Sequence, residues 1–114
     1  MNASNHHGLL IDSAKMHERL QKLGLAWSDA DAAYKALEET SKTILAQEFL
    51  AATGSVAERE AKARTSEAVR EHLKAMADAR RTMNAARVNY DVARVYVDLE
   101  RTNASGQRAL VELR

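Results

Sequence analysis

EAVREHLKAMADARRTMNAARVNYDVARVYVDLERTNA, residues 67–104, decides the fold. Val69, Met76, Met83, Tyr90 and Val97 recur every seventh residue, and Ala104 and Val111 continue the row. Three residues after the large ones stand Ala79, Ala86 and Ala93. A seven-residue apolar repeat keeps one face of an α-helix turned toward a partner helix, and small residues beside large ones permit close approach. A strict repeat of seven also implies a left-handed supercoil. No Pro occurs in the whole chain and only four Gly, so little stands in the way of long helices. The spacing predicts one long C-terminal helix from about residue 66 to 103 or beyond.

N-terminal to that helix, Ser55-Val56-Ala57-Glu58 has capping-box form and predicts a short helix over about 56–64, with Thr65 and Ser66 as an elbow. Gly54 ends the element before it. There Leu37, Ile44 and Ala51 repeat every seven residues, broadened by Tyr34, Leu45 and Phe49, which predicts a helix over about 28–53. Ser28 is a good N-cap, and Asp29 and Asp31 suit the positive end of the helix dipole. A first helix over about 9–23 is read from Leu9, Leu10, Met16, Leu20 and Leu23, capped by Asp12 or Ser13 and closed by Gly24. Residues 1–8 read as a disordered lead-in. The expected helical content is about 75–85% of the residues, against a base rate near one third.

Lengths constrain the arrangement. At 1.5 Å per residue the last helix spans about 57 Å and the second about 39 Å. A fold-back places Ser28 opposite about Asp91, and the first helix, continuing the second almost in line, can cover about residues 94–110. The expected fold is therefore all-α: a single helical domain over 9–114, an antiparallel helical hairpin or coiled coil with one long C-terminal helix and a first arm broken at Gly24.

The 114 residues carry a formal charge of +1, unevenly spread. Residues 1–25 hold three bases against two acids, residues 26–58 two against six, and residues 59–114 twelve against eight. The segments sum to +1, −4 and +4, and the simplest expectation is that the acidic and basic arms face each other. Without Cys the chain forms no disulfide and no thiolate metal site, and a reducing compartment suits it. No signal peptide is visible, and no apolar run approaches the ~20 residues of a membrane span. Asn2-Ala3-Ser4 and Asn103-Ala104-Ser105 match the glycosylation pattern, read as chance.

Two features of the long helix exceed what a hairpin needs. The first is a second apolar row, Ala85, Val88, Val92, Val95 and Leu99, set about 140–200° around the helix from the first. Either the first or the short helix covers it, or it is a seam between copies or a docking face for another protein. The second is an arginine row, Arg80, Arg87, Arg94, Arg101 and Arg108, at every seventh residue. Flanking positions of a coiled coil commonly hold ion pairs, and Glu38, Glu39 and Glu48 are available, so pairing is the leading expectation. The alternative is a ridge that tracks nucleic-acid phosphates, weakened by Asp91, Asp98 and Glu100 nearby and by the lack of interleaved exposed aromatics.

Nothing points to catalysis. His6, His7, His17 and His72 lack the i,i+4 partner of a helical zinc site. Glu38-Glu39 reads as a solvated face rather than an acid/base pair. No nucleophile-elbow, phosphate-loop or dinucleotide-binding run occurs. Trp27 and Tyr90 read as core plugs. The expectation is a chain that is not an enzyme and has no catalytic residue, no metal, no cofactor and no small-molecule substrate.

The stretches Ala33-Tyr34-Lys35-Ala36-Leu37-Glu38-Glu39-Thr40, Gly54-Ser55-Val56-Ala57-Glu58-Arg59-Glu60-Ala61 and Tyr90-Asp91 through Arg101-Thr102-Asn103-Ala104 resemble small helical proteins of tailed bacteriophages and prophages. The resemblance covers about residues 28–108. It rests on a Tyr-bearing helix, a Gly-Ser turn, a short helix and a long Arg-rich helix. Many such proteins have no assigned activity, and some are encoded among recombination and replication genes. The resemblance implies the cytoplasm of a bacterial host cell and transfers no catalytic residue. The expected function is a protein-interaction factor that docks to a host or phage protein, as an inhibitor of a nuclease or defence complex or as a recombination accessory. The expected partners are that protein or a second copy; a nucleic-acid-binding accessory role is the alternative, and no membrane is involved.

Overall fold

The computed structural model describes the backbone of residues 2–113 and the side chains of residues 13–113. It holds three helices: α1 (Asn2–Ala51), α2 (Val56–Arg64) and α3 (Glu67–Glu112). No strand occurs among the described residues. The expected lead-in, 1–8, and the expected core residues Leu9 and Leu10 fall where side chains lie outside the described residues, although the bounds of α1 begin at Asn2.

The first arm is not broken. Where a C-cap at Gly24 and a new start at Ser28 are expected from the sequence, α1 runs on without interruption. The reason lies in the spacing of its half-buried positions. Met16, Leu20, Leu23, Trp27, Ala30, Tyr34, Leu37, Ser41, Ile44 and Glu48 alternate steps of four and three residues across the supposed break. A restart at Ser28 would put Trp27 and Leu23 out of phase with Tyr34 and Leu37. Gly24 has a packing role instead: a Cβ there would stand 3.3 Å from Tyr90 Cε2, so its absence lets the Tyr90 ring lie against α1. The phase also moves one expected seam residue outward, because Ala51 is exposed whereas Glu48 and Ala52 are half-buried.

The chain divides into two compact units, each an antiparallel pairing of α1 and α3 segments. The first joins Met1–Trp27 to Ala86–Arg114. Within it Trp27 and Tyr90 stack with ring centroids 5.5 Å apart and planes tilted by 41°, about two residues from the pairing that the fold-back register predicts. Val97, on the expected seam, is 6% exposed and is the one fully buried residue described there.

The second unit is Ser28–Ala85. His72 Nε2 lies 2.7 Å from the Leu37 carbonyl oxygen, a bond from α3 to α1. The carbonyl can only accept, so Nε2 carries the hydrogen. At the hairpin end Gly54 takes φ +114°, a left-handed conformation that closes a helix at little cost for Gly alone. The capping expectation holds, since Glu58 N donates to Ser55 Oγ at 3.2 Å. Arg59 Nε donates to the Ala52 carbonyl at 3.2 Å and Lys62 Nζ to the Thr53 carbonyl at 2.8 Å, so α2 satisfies orphan carbonyls at the end of α1. The Arg59 guanidinium also lies 4.8 Å from the Phe49 ring centre. Ala63, 1% exposed, is the buried point of this corner. At the elbow Thr65 Oγ1 donates to the Ala61 carbonyl at 2.8 Å, and Val69 N donates to Ser66 Oγ at 3.3 Å. One helix is thus closed and the next opened within two residues.

Ala63 and Val97 are the only fully buried residues among those described. A two-helix pairing buries one stripe per helix and no more. Each unit therefore has a seam rather than a core.

Candidate protein-interaction face

Residues 88–99 of α3 lie within the first unit. Their inward side carries Tyr90, Ala93 and Val97, which pack against α1. The four large members of the second apolar row point elsewhere. Val88 is 52% exposed, Val92 64%, Val95 53% and Leu99 57%. Ala85, in the other unit, is exposed as well. Within this unit the described part of α1 does not cover the row. The physical reason is angular: α1 occupies the opposite side of α3, and no third helix is present in this unit to serve the row.

Tyr96, 55% exposed, widens the face and was not among the expected members. Its signal was present in the sequence, four residues after Val92 and eight after Val88, one step around the helix from the row. Farther along α3, Leu110, Val111 and Leu113 are 64%, 71% and 84% exposed. Val111 continues the inward seven-residue row by sequence yet is exposed.

Beside the row runs an open groove between α1 and α3. Met16 and Leu23 of α1 and Val92, Ala93, Tyr96 and Val97 of α3 line it. Lys15 and Arg19, one turn apart on α1, form its far rim. Both are exposed, and neither joins an ion pair among the described residues. On the other flank of the row stand Asp91 and Asp98.

The arginine row departs from its leading expectation. Arg80, Arg87, Arg94, Arg101 and Arg108 are all exposed. The ion pairs among the described residues are Lys22–Glu18, Lys35–Asp31 and Arg81–Asp78, all within single helices and none involving the row. Register explains it. Glu38 and Glu39 adjoin Leu37, which pairs with His72, so they stand opposite the start of α3 rather than its arginines. Arg108 Nε has a weak contact of 3.5 Å to the Ala104 carbonyl.

Among the described residues no group of three or more His, Asp or Glu converges as a metal site would, and no helix is long and apolar enough to cross a membrane. The Lys35 ammonium is held above its ordinary pKa by its hydrogen bond to Asp31, reinforced by the charge of that carboxylate. This is a surface pair. No family model matches the chain, and no curated protein or solved structure is found similar to it.

Proposed function

We propose that this chain is a non-catalytic protein-interaction factor that docks through the α3 row Val88, Val92, Val95 and Leu99. The observation that carries the reading is their exposure, 52% to 64%, side by side on one helix face. Scattered apolar side chains on a surface need no explanation, but a contiguous row does. Full burial of a Val or Leu side chain is worth about 1.5–3 kcal/mol. Four side chains left rather more than half exposed hold back on the order of 3–7 kcal/mol per chain, before the costs of association. That is comparable with the whole stability of a small domain.

The resemblance of residues 28–108 to small phage and prophage proteins supports a setting in the cytoplasm of a bacterial host. There the chain would act as an inhibitor of a nuclease or defence complex, or as a recombination accessory. Affinity capture from bacterial lysate with the wild type and with Val92→Asp and Leu99→Asp tests the docking role. The expected result is one partner retained by the wild type and lost from both helical variants, because a buried unpaired carboxylate costs several kcal/mol. A partner retained by both variants would remove the row from the interface.

One observation favours a second reading. Five exposed arginines in line, none ion-paired among the described residues, suit a helix that tracks phosphates. Against it, Asp91 and Asp98 stand within one turn of Arg87, Arg94 and Arg101 and offset their field, and the net charge is only +1. Salt-dependent binding of duplex DNA by the wild type, lost with Arg87, Arg94 and Arg101 replaced by Gln, would establish this reading over the first.

A further inference from the structure

We infer that the occupant of the α3 row is a second copy of this chain, with the two α3 helices parallel and in register. The inference rests on the docking reading above and names the partner. Val88, Val92, Val95 and Leu99 are spaced by four, three and four residues, the 3–4 alternation of a coiled-coil seam, and all are exposed. Arg81 ends the seam on the N-terminal side, beyond Ala85.

The flanks decide orientation. On one edge of the seam lie Asp91 and Asp98. On the other lie Asn89, Tyr96 and Asn103, and beyond Tyr96 the Lys15 and Arg19 rim of the groove. In a parallel pair each edge meets the opposite edge of the other copy, five residues on. Asp91 then faces Tyr96 of the second copy, whose hydroxyl can donate to it, with Arg19 and Lys15 of that copy beside it. Asp98 faces Asn103 of the second copy in the same way. In an antiparallel pair like edges meet: carboxylates face carboxylates, and the two cationic rims face each other. Directly beside the seam one edge carries Asp91 and Asp98, with Arg87, Arg94 and Arg101 one position farther out, and the other borders the Lys15 and Arg19 rim, so the surface complements itself better in the parallel orientation than in the antiparallel one. Val88 and Val95 take one set of alternate seam positions and Val92 and Leu99 the other, a mixture that selects no copy number by itself, so the flanks specify orientation alone.

The chain has no Cys, so an introduced thiol reports contact without background. Val88→Cys and Leu99→Cys are made separately, checked for helicity by circular dichroism, and exposed to oxidised glutathione alone and as an equimolar mixture. Parallel pairing predicts rapid same-residue disulfides in each variant alone and none joining residue 88 to residue 99 in the mixture. Disulfides joining 88 to 99, with neither variant linking to itself, would show an antiparallel pair and overturn the proposal. A wild type with the mass of one chain in sedimentation at millimolar concentration would overturn it too, and would leave docking to a different protein as the reading tested by lysate capture.

Discussion

At the scale of single residues, Gly24 and Tyr90 carry more of the fold than their neighbours. Gly24 is a poor helix former in the middle of a 50-residue helix. It is accommodated because the Tyr90 ring occupies the space a side chain would fill. Gly24→Val would push Tyr90 off Trp27, and the expected loss is about 1–3 kcal/mol in urea denaturation despite the gain in helix propensity. The arginines behave oppositely. Replacing Arg87, Arg94 and Arg101 together with Gln should change stability by no more than about 0.5 kcal/mol, since solvated side chains with no ion pair among the described residues contribute little. The sequence alone favours the opposite outcome, because its −4 over residues 26–58 and +4 over residues 59–114 suggest pairing, whereas no ion pair among the described residues involves the row. A loss of more than about 1 kcal/mol would mean that the row is paired after all. For Lys35 the sign follows from its raised pKa. The Asp31 pair contributes fully at neutral pH and loses its contribution as pH climbs through the raised value. Melting curves of wild type and Asp31→Asn should therefore differ at pH 7 and converge in strong alkali.

At the scale of elements, the sequence is most informative where chemistry is local. Ser55 caps α2, Gly54 takes the left-handed turn, and Thr65 and Ser66 form the elbow, all at the expected positions. The seven-residue repeat of α3 is read directly from residues 67–104. The break at Gly24 is the instructive difference. Gly followed by Leu-Ala-Trp-Ser-Asp has every local mark of a stop and a restart, and only the phase of Leu23, Trp27, Ala30 and Tyr34 shows that packing overrides them. The exposed row was legible as a pattern, but whether anything in the chain covers it was not, because that depends on the angle at which α1 meets α3. Asp29→Pro distinguishes a continuous α1 from a broken one. Pro is well tolerated at the first position of a helix that starts after Ser28. Inside a continuous helix it removes a hydrogen bond and clashes with the preceding turn, costing about 3 kcal/mol or more. The expectation is the large loss, read from thermal or urea melting.

At the scale of the whole molecule, the described residues include only two that are fully buried, one in each unit. The seams hold the helices in pairs but shield little from water. The row on α3 holds back a hydrophobic contribution about as large as a small domain's net stability. Folding and association are therefore expected to be linked, with a melting temperature that rises with protein concentration. Sedimentation equilibrium of the wild type and of Val92→Asp across a hundredfold range of concentration tests this most directly. The account predicts a wild-type mass that climbs to at least two chains and a helical Val92→Asp variant that stays at one. A wild type that keeps the mass of a single chain throughout, with a melting temperature independent of concentration, would contradict it.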